Sequence, residues 1–546
     1  VSTNERPPPW PHNQGGIGDP TLSAGLRLFP APSRAYEQRS LAAAKPHTMF
    51  EEFTSEPMKA PILERWFAPS VAPSFVRARW IWLRCLGVIF FSVFYSLYFQ
   101  IHGLIGPHGI LPAGQYLDAV HRALGLKAYW YAPTLLWFST SDAMLTAIVW
   151  IGFAASVAII INIWPRVSIT IAGICFLSFV GAAQEFAGYQ SDGMLLEAAL
   201  LSIFLAPRGI RPRMGIDQPP SRAAVFLLQW EWFRIYFESG LVKLLSGEEQ
   251  WRNFTAMDKY YENGPLPSWI GWYVQQWPHS FHAFSAGLTL FVELIVVWLL
   301  FAPRKNSLCR LIAFVIVTPL QIGIILTANY AFLNYLVLCI AILLLDDSIL
   351  RGPLPTPASR KPSIAAAVVL TTIFLTSIAA FLVPSFPTVT LLDPFRVANR
   401  YGLFAVMTRS RYEIEFQGTR DGTTWIAYPF RYKPQDIKKA PGLYAPYQPR
   451  FEWNLWFASL GSIQENQWVL NTEGRLLENS APVLKLFAAN PFEGKPPIAV
   501  RAVAYQYWFS TTAERARTGA WWRRELLGAY APAATRDEAG AIRFGD

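Results

Sequence analysis

Nine apolar segments joined by loops of alternating charge constrain this chain more than any other feature of it. They run over residues 81–99, 143–163, 167–185, 191–206, 223–245, 284–302, 308–326, 331–345 and 364–383. Most lie near the roughly 20 residues that an α-helix needs to cross about 30 Å of hydrocarbon. In lipid the backbone must satisfy its own hydrogen bonds, so such a series implies a bundle of helices. The expected fold is a polytopic α-helical membrane protein of about nine transmembrane helices over residues 76–384, followed by a C-terminal α+β extramembrane domain over 385–535.

The loops supply an orientation. Arg166 follows the second segment, and Arg208, Arg211, Arg213 and Arg222 follow the fourth. Arg304, Lys305 and Arg310 follow the sixth; Arg351, Arg360 and Lys361 follow the eighth; Lys59, Arg65, Arg77 and Arg79 precede the first. The loops between are much poorer in Lys and Arg. Basic loops stay on the cytoplasmic side, which predicts a cytoplasmic N-terminus and an extracytoplasmic C-terminal domain. The fourth segment, which holds Asp192 and Glu197, and the short turn 327–330 are the weak points of this count. Losing one helix would reverse the side of the C-terminal domain.

Composition agrees. The chain is 52% hydrophobic and only 15% charged, below the quarter or so usual for soluble domains. Its net charge of +10 is explained by topology and anionic lipid better than by nucleic acid. Cys85, Cys175, Cys309 and Cys339 all fall in membrane segments without CxxC spacing, so neither a disulfide framework nor a zinc pattern is expected. Residues 1–48 are rich in Pro, Gly and Ser and hold no apolar run long enough for a signal peptide. The chain opens on Val1, and Met49 is its first methionine. The expectation is a disordered start-site extension over 1–48, a cytoplasmic segment over 49–75, and a disordered tail over 536–546.

Past residue 383 the pattern changes. Residues 412–416 alternate as a half-exposed strand does, with 425–430 as the partner across a Gly-containing turn and 499–509 as a further strand. Residues 451–460 and 481–489 read as helices. The domain is rich in Trp, Tyr and Arg, residue types enriched in binding hot spots, though aromatics also serve as core or rest on a membrane interface.

The chemically loaded stretch is 229–253, QWEWFRIYFESGLVKLLSGEEQWRN. Glu231, Arg234 and Glu238 share one helix face at i, i+3 and i+7. Ionisable groups at membrane depth are costly unless paired or wetted, which marks them as site candidates. An ion-pair cluster tying helices together, through Glu231–Arg234 or Arg234–Glu238, is the plainer account. Lys243 either snorkels from the outer end of the helix or, held in an apolar cavity, serves as a base. Asp192 is placed to cap the fourth helix. Glu197 lies about 140° around that helix from it and is expected to answer Arg234 or Lys243. His102 and His108 in one outer loop, and His279 and His282 in another, have no carboxylate at ligand spacing, so no metal site is expected.

Several blocks give the chain a resemblance. These are Gly103-Leu104-Ile105-Gly106-Pro107-His108-Gly109-Ile110-Leu111-Pro112, Tyr189-Gln190-Ser191-Asp192, Leu205-Ala206-Pro207, and residues 233–252. They continue with Thr327-Ala328-Asn329-Tyr330, Tyr401-Gly402-Leu403-Phe404, Arg411-Tyr412-Glu413-Ile414, Gln448-Pro449-Arg450, Asn490-Pro491-Phe492 and Gly519-Ala520-Trp521-Trp522-Arg523-Arg524. Over about residues 75–535 the chain resembles the lipase maturation factor family. That resemblance implies a multi-pass membrane protein, in the ER in eukaryotes, needed for dimeric lipases to reach an active, secretable fold. The Val start and the missing ER-retention signal lean towards a bacterial inner-membrane relative.

A second resemblance is narrower. Gly240-Leu241-Val242-Lys243-Leu244, followed by Trp251, is similar to the lysine-bearing helix of vitamin K-dependent carboxylases. It implies Lys243 as a base towards a quinone, but this chain has one lysine where that family has a pair.

Two functions are therefore expected in competition. The first is a chaperone-like maturation factor, more this than an enzyme, whose client is an exported protein such as a lipase. Trp453, Trp456, Trp521, Trp522, Arg523 and Arg524 are its candidate contacts, membrane lipids are its other partners, and no cofactor is required. The second is an intramembrane enzyme acting on a quinone or lipid, with Lys243 as base and Glu238, Asp192 or Glu197 setting its protonation. A transporter is disfavoured, because no half-sequence repeat with paired broken helices is seen.

Overall fold

Each of the nine apolar segments is helical in the computed structural model, which describes residues 73–303, 307–353, 363–537 and 539–545. In chain order the helices are α1 (Val76–Ile105), α2 (Ala113–Leu124), α3 (Asp142–Ile160), α4 (Pro165–Val180), α5 (Gln190–Leu205), α6 (Arg222–Leu245), α7 (Trp269–Gln275), α8 (His279–Leu294), α9 (Ser307–Thr327), α10 (Leu333–Ala341) and α11 (Ile364–Leu382). All but α2 and α7 correspond to the nine segments. A 3-10 turn at Val296–Phe301 extends α8. The expectations for residues 1–48 and for most of 49–75 lie outside the described residues.

Among the described residues, five helices are long and apolar enough to cross a membrane: Val76–Ile105, Asp142–Ile160, His279–Phe301, Ser307–Thr327 and Ile364–Leu382. This narrows the expected nine, and the reason is physical. The helix α4 and the stretch Leu333–Leu344 are short; α5 is short and carries Asp192 and Glu197; α6 carries Glu231, Arg234, Glu238 and Lys243. Both charged helices are buried along most of their length, at the centre of the bundle. By contrast α9 and α11 turn Val315, Ile322, Val368 and Leu375 outward, as helices facing hydrocarbon do.

Contacts among the start of α1, residues 162 and 213–218, and Asp346–Asp347 gather the basic loops at one end. There Asp347 accepts hydrogen bonds from Ser74 Oγ (2.6 Å) and from the Val76 and Arg77 backbone N–H groups (2.7 and 2.8 Å), fixing the start of α1. Arg79 donates to the Met214, Gly215 and Gln218 carbonyls of the loop before α6, and Arg310 pairs with Asp346 at 2.7 Å.

The C-terminal domain sits on the opposite end. Beyond the short helix α12 (Pro387–Leu392) it comprises β1 (Arg411–Thr419), β2 (Trp425–Ala427), α13 (Arg450–Ala458), α14 (Trp468–Leu477), β3 (Ala499–Phe509), α15 (Thr512–Thr518), β4 (Trp522–Ala529), β5 (Ala534–Arg536) and β6 (Ile542–Phe544). The six strands form one antiparallel sheet with β3 at its centre. The strands β1 and β3 lie where the alternation places them, while β2 stops at Ala427, short of the expected 425–430. The expected helix 481–489 closes after Leu484, because Leu486 and Phe487 turn into the core and Ala488 N–H bonds to Pro429 O at 2.7 Å. The tail expected to be disordered instead supplies β6, paired with β5 and tied by an Arg543–Asp537 bridge of 2.7 Å.

Membrane helices and sheet domain pack together as one compact unit. The 30-residue α1 is longer than a bilayer requires, and its end packs against the C-terminal domain. A Cβ on Gly103 would stand 2.6 Å from Pro482 O, so that approach needs a glycine. Asn329 ties the junction at another point. Its amide donates to Leu266 O and Gly442 O at 3.0 and 2.9 Å, and its carbonyl accepts from Tyr444 and Ala445 N–H at 2.6 and 3.1 Å. Asn329→Ala orphans these groups and is expected to cost about 2 kcal/mol, read as a lowered melting temperature in detergent.

Candidate functional site

The ionisable residues of α5 and α6 converge on one structure, a segment that re-enters between the helices after α11. Residues 397–408 run as an irregular strap along the sheet-domain end of α5 and α6, and their backbone groups meet the buried charges. Glu197 pairs closely with Arg234. Its second oxygen accepts from Asn399 N–H (3.0 Å), Asn399 Nδ2 (3.1 Å) and the Tyr401 hydroxyl (2.9 Å). Arg234 also donates to Asn399 O at 2.8 Å, and its guanidinium stands 5.2 Å from the Tyr401 ring. Glu238 accepts from Tyr401 N–H at 2.8 Å, and Ser239 Oγ from Leu403 N–H at 3.2 Å. The strap passes close over Gly193, where a side chain would collide with Asn399.

Lys243 does not snorkel; it is buried. Its ammonium donates to both oxygens of Glu293 on α8 at 2.9 Å and to Leu403 O of the strap at 2.9 Å, with the Trp251 ring 5.1 Å away. Trp251 itself donates to Phe404 O at 2.9 Å. All three N–H bonds thus have acceptors, one of them main chain, and neither described cavity is lined by Lys243. A general base needs a free lone pair within reach of its substrate, and this arrangement offers Lys243 as an anchored cation.

Asp192 is not an N-cap. It stands in the first turn of α5 and takes Arg450 of α13 in a two-pronged pair, 2.8 Å at each oxygen. Arg450 also donates to Phe186 O at 2.8 Å. This planar, charge-assisted geometry suits Arg. Asp192 and Glu197 therefore serve different partners, as their angular separation allows. Glu231 is buried with neither oxygen hydrogen-bonded, and the ion pair Arg234 makes is with Glu197 rather than with Glu231 or Glu238.

Of the six candidate client contacts, Trp453, Trp456 and Trp522 are buried. Trp453 packs at a tilt against Tyr189, and Trp522 packs on Phe509 under Arg411. They form core in this conformation. Trp521 is half-buried against Trp272 of α7 with Arg515 over its ring. Arg523 and Arg524 remain exposed, the latter 3.2 Å from Glu415. The histidines expected in outer loops lie on helices and have separate partners: His102 of α1 contacts Asp142 at 2.7 Å, and on α8 His279 contacts Asp258 at 2.9 Å and His282 meets Trp277 O.

Sequence reasoning missed Glu293, Arg450 and the strap. Glu293 was findable, as the one charge inside an otherwise apolar segment. Arg450 sits in a short polar block with no periodicity. The strap acts through backbone groups, which leave no signature in side-chain type.

Two family models cover the chain. One, described as the lipase maturation factor transmembrane domain, matches residues 77–352; another, the lipase maturation factor C-terminal domain, matches 397–532 and so begins with the strap. Lipase maturation factor 1 of Bos taurus is 32% identical over 513 residues, covering 86% of this chain and 90% of the relative. The Mus musculus protein of that name is 31% identical, covering 92% and 94%. Lipase maturation factor 2 of Gallus gallus is 28% identical, covering 84% and 81%. No solved structure matches the chain. Matched along both its helical and its sheet-bearing parts, this integral membrane protein belongs to the lipase maturation factor family.

Proposed function

We propose that the protein is a membrane-anchored maturation factor for exported proteins, with lipases as its clients. The observation that carries this reading is the match to proteins named lipase maturation factors over nearly the full length of both partners. The site geometry supports it. Glu197, Arg234, Glu238 and Lys243 are engaged by one another, by Glu293 and by the strap, as in a scaffold that fixes the sheet domain's pose. In this reading all nine helical segments cross the membrane, and the Arg-rich end of the bundle faces the cytoplasm. The C-terminal domain is then presented to clients on the extracytoplasmic side, in a bacterial inner membrane or an ER membrane.

The test is deletion of the gene in its host, with secreted lipase activity measured per unit of lipase protein. Activity is expected to fall and to be restored by wild type. It is restored equally, at matched membrane levels, by Lys243→Met combined with Glu293→Gln, which removes the amine without leaving a lone carboxylate. Failure of that double variant alone would assign chemistry to Lys243. An undiminished lipase after deletion would remove lipases from the client list.

A further inference from the structure

We propose that the elbow between α11 and the strap is a binding site for the phosphodiester headgroup of a phospholipid in the leaflet on the sheet-domain side. A cavity of about 480 Å³ lies there, bounded by the end of α11 at Pro384, by Thr390 of α12, by Arg396 and Arg400, and by Tyr131 and Gln190. Its size is that of a ligand pocket, which typically spans about 300–1,000 Å³.

Depth comes first. Around the cavity, Tyr131, Phe386 and Leu391 are exposed. Trp130 donates its indole N–H to Leu391 O at 2.8 Å and packs edge-on against Phe395. Aromatic side chains with one apolar and one polar end collect at the level of lipid headgroups. The mouth of the cavity therefore opens where phosphates are.

Charge comes next. The wall residues shared with the strap network are already used: Asp192 by Arg450, and Asn399 by Glu197 and Gly193. Arg396 meets Asp393 in a solvent-open contact of 3.3 Å, of a kind worth little. Arg400 has neither an ion pair nor a hydrogen bond among the described residues. The first turn of α5 also lines the cavity, and the free N–H groups of a helix start favour an anion. Arg400, free of hydrogen bonds though its charge also acts on the buried Glu238, the loosely held Arg396, and a helix start at interfacial depth match a singly charged phosphodiester whose acyl tails leave along α11. A lipid seated there would join the last membrane helix, α5 and the strap.

The experiment titrates delipidated, detergent-solubilised protein with dioctanoyl phosphatidylglycerol, reading bound equivalents by native mass spectrometry. One equivalent is expected, bound about tenfold more weakly by the Arg396→Gln/Arg400→Gln variant, given the usual strength of hydrogen bonds to charged groups. Both substituted side chains are at the surface, so an unchanged melting temperature serves as the folding control. Dioctanoylglycerol, which lacks the phosphate, and glycerol 3-phosphate, which lacks the tails, are expected not to compete. Equal binding by wild type and variant overturns the site. Competition by dioctanoylglycerol would make it a tail groove, and competition by glycerol 3-phosphate a site for soluble phosphate esters; either overturns the proposal.

Discussion

Glu197→Ala is expected to destabilise the protein by about 3–5 kcal/mol, the usual cost of removing one partner of a buried ion pair. Arg234 and Glu197 are both almost wholly excluded from solvent, so the arginine left behind has no water to replace its counter-charge. The same carboxylate accepts from Asn399 and Tyr401, so the strap is released by the same change. Two readouts separate these consequences. Melting in detergent reports the stability, and protease cleavage within 397–408 reports whether the strap has left the groove. Glu197→Leu combined with Arg234→Met is expected to recover much of the melting temperature, because a well-packed apolar pair often replaces a buried ion pair at little cost. The strap of that double variant stays protease-sensitive, since the carboxylate that takes Asn399 and the Tyr401 hydroxyl is gone. Simple additivity of the two single substitutions would show that the residues do not act as a pair.

Apolar runs report burial and period, and those are local. This is why every apolar segment is helical, and the strands β1 and β3 stand, where the pattern puts them. The charges of α5 and α6 announced themselves as misfits in such runs. What they bind is a different kind of information. Asp192 is answered by Arg450, 258 positions away, and Lys243 by a carbonyl 160 positions away. The first partner opens a short helix of the sheet domain, where an Arg carries no sign of a distant carboxylate. The second is main chain, which every residue possesses. The exposed-looking Trp521-Trp522-Arg523-Arg524 block was ambiguous for a related reason: strand alternation sends Trp522 inward and Arg523 outward, and neither residue type reveals the register without β3 beside it.

The sheet domain contains one carboxyl whose burial makes stability depend on pH. Glu473, on α14 against β3, has neither oxygen in a formed hydrogen bond. Burial pushes it up to about 9, opposed only by the nearby Ala502 N–H. Raised above the ordinary carboxylate value, the group favours the folded state fully below about pH 4.5 and loses that contribution as pH rises towards 9. Across that window the unfolded chain has released the proton that the folded one keeps, at a cost approaching 1.4 kcal/mol per pH unit. Glu473→Gln removes the ionisation and nearly preserves the shape. The variant and wild type are expected to melt alike near pH 5 and to diverge steadily above it, with the variant more stable by a few kcal/mol at pH 8. Histidines and other carboxylates titrate in both proteins, so the difference between the two curves isolates Glu473. Parallel curves from pH 5 to 9 would mean that the carboxylate is solvated in the folded protein and that α14 does not seal it against β3.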